Sequence, residues 1–129
     1  MHRIVGERKI HLDSALYHEG MSQFQGNLAE LLERYREAGV PVFIGTLASN
    51  EKGLEPFISA RASQDDESAA GYFALGRVLE GQGDYPRARQ AYLAAKDRDQ
   101  LRFRAPEAFN AIIRDVAAQQ DARVVEVQA

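Results

Sequence analysis

Three imidazoles, an Asp-Ser pair, a Thr-to-Asn loop and an Arg-Phe-Arg segment are the places where residue type and spacing bear on chemistry. Hydrolysis by a serine hydroxyl needs an imidazole to take its proton and a further group to orient that imidazole. The imidazoles are His2, His11 and His18, all near the start of the chain. His18 and Glu19 are sequence neighbours, which do not share a helix face. His11 and Asp13 would point the same way on a strand, giving an orienting pair. Ser14 follows Asp13 but has no preceding glycine and no apolar strand to carry it. The positions 2, 11 and 18 match no compact metal-ligand spacing. Gly81-Gln82-Gly83 falls between helical segments, the wrong context for a phosphate loop. The sequence therefore predicts no catalytic residue, no metal site and no cofactor.

Two groups remain as binding candidates. Thr46, Ser49 and Asn50 close the run "PVFIGTLASN", and ligands of open α/β sheets collect beyond the carboxyl ends of strands. They are expected either to line a pocket or, for Ser49 and Asn50, to make a local turn through the side chain. Arg102 and Arg104 bracket Phe103; alternation turns Phe103 inward and sets both guanidiniums on one outer side. There they would clamp a carboxylate or phosphate. The alternative is ion pairing with Asp97, Asp99 or Glu107, fixing the preceding helices against a sheet.

The elements that must position these groups follow from periodicity. Phe24, Leu28, Leu31, Leu32 and Tyr35 recur at helical spacing, with Ser22 as N-cap, Gly39 as the stop and Pro41 beyond it. Residues 1–20 give no firm pattern; Ile10, Leu12 and Ala15-Leu16-Tyr17 read as a short strand or a loose turn. Val42-Phe43-Ile44 is a continuous apolar run, predicting a parallel strand covered on both faces. Residues 59–67 are a polar connector. A helical hairpin follows from about Glu67 to Asp97, with Tyr72, Leu75, Gly76 and Leu79 along one helix. Tyr85, Ala88, Tyr92 and Ala95 line the other, and Gly76 is expected to face Ala88 so that the backbones come close. Gly83 takes positive φ in the turn, and Pro86 sits in the first turn of the second helix. A further helix spans about Pro106–Gln119 with Phe109, Ile112, Ile113 and Val116 inward, and Ala122–Val127 reads as a closing strand.

Composition bounds the class. With 129 residues, 45% of them hydrophobic, the chain can build one domain with a small insert. The 19 acidic and 16 basic residues leave a net charge of −3, which gives no electrostatic case for a nucleic-acid partner. Cysteine is absent, removing disulfides and thiolate chemistry together. No apolar run approaches the ~20 residues of a membrane span, and no signal-peptide pattern opens the chain, so the cytoplasm is the default expectation.

Residues 69–99 resemble a single tetratricopeptide repeat, carried by Tyr72, Leu75, Gly76, Leu79, Gly83, Tyr85, Ala88, Tyr92 and Ala95 in unbroken register. The flanking phrases "FQGNLAELLERYREAGVPVFIGTLASN", "LRFRAPEAFNAIIRDVA" and "ARVVEV" are similar to the C-terminal half of SGNH (GDSL-like) hydrolases carrying such an insert. The resemblance implies α/β architecture with an all-α insert: a partial flavodoxin-like SGNH sheet fragment, helix-dominated, with one repeat-like hairpin. It would make residues 1–129 a single partial domain and 66–98 its insert. The family's Gly-Asp-Ser segment, Gly-x-Asn-Asp block and Asp-x-x-His segment have no counterpart here. Two functions follow as expectations. One is a non-catalytic interaction or packing module that self-associates, docks to a missing N-terminal half, or takes a protein or peptide partner. The other is the C-terminal portion of an esterase that needs that half for ester hydrolysis.

Overall fold

The computed structural model describes residues 9–59 and 67–127. Among these, the chain forms four helices and two short strands, in the order α1 (Ala15–Glu37), β1 (Phe43–Gly45), α2 (Ala69–Gly81), α3 (Tyr85–Arg98), α4 (Glu107–Gln119) and β2 (Arg123–Val125). It divides into two compact units. One comprises the described parts of residues 1–14 and 50–104, the other 15–49 and 105–129. Position 66, most of the polar connector and His2 lie outside the described residues.

In the second unit α1 starts at Ala15, not at Ser22. The apolar stripe runs further upstream than the spacing from Phe24 suggests: Tyr17, Leu28 and Leu32 are all buried on this helix. Continuing a stripe by two turns outweighs the ~1 kcal/mol preference of serine for a cap position. The stop is as expected. Gly39 has φ +67, and the Gly39 and Val40 amides donate to the Arg36 and Tyr35 carbonyls at 3.0 and 2.9 Å. That double closure is a Schellman cap, which needs the left-handed backbone glycine adopts freely.

β1 pairs in parallel with β2, Ile44 opposite Val124. Leu28 and Leu32 of α1 and Ile113 and Val116 of α4 form the core, with Val42, Ile44 and Ile112 packed against it. Both helices therefore serve one face. The other face is open: Phe43 is 64% exposed, Val125 48% and Val127 55%. Within this unit the expectation of a strand covered on both faces fails, because α1 and α4 both pack on the inner side. The Arg123 guanidinium lies over Phe43, 5.7 Å from the ring centroid, a partial cover by a long side chain.

The first unit is built on the α2–α3 hairpin. Ser68 caps α2 by accepting from the Gly71 amide at 3.0 Å, and Asp84 caps α3 by accepting from the Arg87 amide at 3.2 Å. Gly83, φ +80, closes α2 with a second Schellman pattern, Asp84 donating to the Leu79 carbonyl at 2.9 Å. Phe73, Leu79, Ala88, Ala91, Tyr92 and Ala95 form the core. Gly76 faces Tyr92 rather than Ala88: a Cβ there would fall 2.6 Å from the ring's Cε1. Leu75 (45% exposed) and Tyr85 (67%) do not line the interface as the spacing predicted. A lone hairpin has only one buried side, so residues that a neighbouring hairpin would cover stay in water.

Candidate functional site

At the carboxyl end of the sheet, Thr46 prolongs the ladder with backbone and side chain. Its amide donates to the Val125 carbonyl at 3.0 Å, and its Oγ1 accepts from the Val127 amide at 2.9 Å. Thr46 is 4% exposed. The next residue is held by Asn110, a polar residue on the buried stripe of α4 with 1% exposure. Asn110 Oδ1 accepts from the Leu47 amide at 2.7 Å and its Nδ2 donates to the Leu47 carbonyl at 3.1 Å. A side-chain amide thus imitates a neighbouring strand for one residue, which satisfies a backbone that would otherwise be orphaned. Arg114 and Glu126 make a paired fork at 2.8 Å for each bond. That fork holds the Glu126 carboxyl below its usual range and raises Arg114. Ser49 belongs to this unit; its Oγ is buried with no hydrogen-bond partner among the described residues.

Asn50 belongs to the other unit. Its Oδ1 accepts from the Gly53 amide at 2.7 Å, closing a local turn of the kind asparagine favours. That is the turn-forming alternative raised for this residue.

The Arg-Phe-Arg segment is inverted relative to its expected alternation. Phe103 is 74% exposed, while Arg104 is 7% exposed and points inward. The segment is a tight turn, with the Phe103 amide donating to the Leu101 carbonyl at 2.7 Å, so a two-residue repeat does not apply. Arg104 donates to the Asn50 and Leu54 carbonyls at 3.1 and 2.7 Å and pairs with Asp99 at 3.5 Å. Arg102 instead donates to the Asp97 carbonyl. Of the expected acid partners, Asp99 is the one that Arg104 meets.

Asp99 is the centre of this arrangement, 3% exposed. Its Oδ2 accepts from the Phe57 amide at 2.9 Å, and its Oδ1 from the Ile58 and Leu101 amides at 3.0 and 3.1 Å. With Arg104 it ties the loop 50–58 to the end of α3. A second polar cluster spans the same unit: Lys52 pairs with Glu80, which accepts from the Tyr92 hydroxyl at 2.9 Å. The hydrogen bonds to Lys52 and Tyr92 lower the Glu80 carboxyl. Bonding to Glu80 raises Lys52, and burial first, then the Glu80 bond, raises the Tyr92 phenol.

His18 lies on α1, its ring edge-on to Tyr17 at 5.6 Å. His11 shares a cavity with Asp13 and Ser68, but its ring makes no hydrogen bond among the described residues, and the Ser68 hydroxyl accepts from the Gly71 amide as an N-cap. Among the described residues no cluster of three or more metal-ligating side chains occurs, and no helix is long and apolar enough to cross a membrane. In the sheet unit, a cavity of about 610 Å³ lies at the amino ends of both strands, lined by Leu32, Arg36, Val40, Phe43, Asp121 and Arg123 among others. No protein-family model matches this chain, and neither does any curated protein or solved structure.

Proposed function

We propose that this chain is a non-catalytic interaction and packing module related to SGNH-type hydrolases, with the α2–α3 hairpin as its repeat-like element. The observation that carries the reading is the uncovered sheet face, where Phe43, Val125 and Val127 stand 64, 48 and 55% exposed on a parallel pair. Parallel strands are stable when both faces are covered, and two strands alone are marginal. The occupant is a second copy of the chain, which would bury the same apolar face in an isologous contact. Support for the repeat-like element comes from the close α2–α3 pairing over Gly76 and Tyr92 and from Leu75, Val78 and Tyr85, left exposed on the hairpin.

A second reading is favoured by the parallel pairing itself. It is the C-terminal portion of an SGNH-type esterase, in which further strands and a nucleophile come from an N-terminal half. In that reading Thr46 and Ser49 edge a substrate pocket. Hydrolysis of p-nitrophenyl esters separates the two. The first predicts no turnover above the buffer rate with the purified chain, alone or mixed with a family N-terminal half. Turnover restored by that half selects the second, and turnover by the chain alone overturns both.

A further inference from the structure

We infer that the second copy joins this chain along the free edge of β1, antiparallel and two-fold about Ile44. The contact rests on the second-copy reading given above and adds to it an edge, a register and the side chains that meet.

The ladder leaves particular backbone groups spare. Arg123 donates to the Val42 carbonyl at 2.9 Å, and Thr46 to the Val125 carbonyl at 3.0 Å. Backbone direction alternates along a strand, so Val42, Ile44 and Thr46 turn toward β2 while Phe43 and Gly45 turn away. The outward amides and carbonyls of Phe43 and Gly45 bond to no described residue, and both residues are exposed. This gap is bounded on each side. Pro41 has no N–H to offer, and the Leu47 backbone is already held by Asn110. The β2 edge is guarded by the charges of Arg123 and Glu126, whereas residues 40–48 carry none. An uncharged edge with unmet backbone groups is a template for another strand.

Register decides the occupant. A two-fold through Ile44 sets Phe43 opposite the partner's Gly45 and Gly45 opposite the partner's Phe43. Each pair then exchanges both of its hydrogen bonds. Phe43 and Gly45 share the outer face of the sheet. There the Phe43 ring, 64% exposed, lies on the bare backbone of the partner's Gly45, an aromatic–glycine pairing that fills the space of the missing side chain. The ring ends against the partner's Val127. Within one chain a Cβ on Gly45 would stand 3.1 Å from Val127 Cγ2, so that valine borders the glycine on its other side. One contact therefore satisfies the spare edge and covers Phe43 and Val127 together. On the inner face Ile44, packed on the core, meets the same residue of the other copy. The chain carries its own complement: an exposed aromatic two positions before an edge glycine.

The chain has no cysteine, so a single introduced thiol can cross-link only to the same residue of another copy. Ile44→Cys in the full chain puts two sulfurs across the two-fold, with Cα atoms about 4.5 Å apart and within disulfide range. Under mild oxidation it is expected to give covalent dimer at least about tenfold faster than Val124→Cys, its neighbour on β2. Amide exchange of the unsubstituted chain reads the same contact without any change of sequence. The Phe43 and Gly45 amides are expected to slow at least about tenfold between dilute monomer and concentrated dimer. A dimer by sedimentation whose Phe43 and Gly45 amides exchange as they do in dilute solution overturns the edge contact and leaves the covered-face reading standing. So does an Ile44→Cys chain with parent-like circular dichroism that cross-links no faster than Val124→Cys. A chain that stays monomeric at every concentration overturns both.

Discussion

Replacing Asp99 with alanine is the sharpest perturbation of the hairpin unit. The substitution removes the acceptor for three backbone amides, those of Phe57, Ile58 and Leu101, and the carboxylate opposite Arg104. Both members of the ion pair are nearly sealed, with side-chain exposures of 5 and 3%, so solvent screening is slight. Each orphaned buried donor costs about 1–3 kcal/mol if it stays dry, and breaking one side of a buried pair costs about 3–5 kcal/mol. Water entering the vacated carboxylate site offsets part of the first term. The net loss is therefore about 3–5 kcal/mol, a large share of the ~5–15 kcal/mol total stability of a typical domain. Arg104→Met breaks the same pair and leaves the Asn50 and Leu54 carbonyls without their donor, so it should also cost about 3–5 kcal/mol. Urea unfolding followed by far-UV circular dichroism measures both, and amide exchange in α2 and α3 assigns the loss to this unit. A loss below about 1 kcal/mol for Asp99→Ala would refute the view that Asp99 organises the loop.

Two other predictions follow from local geometry. Gly76→Ala gains about 1 kcal/mol of helix propensity, yet its Cβ would sit 2.6 Å from a Tyr92 ring fixed by Glu80 and by Phe73 at 5.3 Å. Overpacking should win, lowering the thermal midpoint, and a raised midpoint would contradict the close approach. The lowered Glu80 and Glu126 carboxyls stabilise the fold above their unfolded values near 4.5, and that stabilisation is lost as pH falls through the folded values. Glu126→Gln should accordingly flatten the acid limb of a stability–pH profile measured by urea unfolding, and an unchanged limb would remove the fork with Arg114 from the account.

What was legible in the sequence was local. Gly39, Gly83, Pro86 and the spacing of Ile113 and Val116 each act through chain neighbours, so their roles follow from residue type and position. Contacts between distant segments were not legible. Asn110 meets Leu47 across 63 positions; the signal available was a polar residue on an otherwise apolar stripe. Asp99 was visible only as one of several acids that could meet an arginine, not as the acceptor of backbone amides 41 and 42 positions upstream. Phe103 and Arg104 were misdirected because strand alternation was applied to a turn.

The central claim is that the bare outer face of the β1–β2 pair is made to be covered. Sedimentation velocity across a micromolar concentration series tests it most directly. The account predicts a sedimentation coefficient that rises with concentration toward a dimer; a single monomeric boundary over the whole series would contradict it.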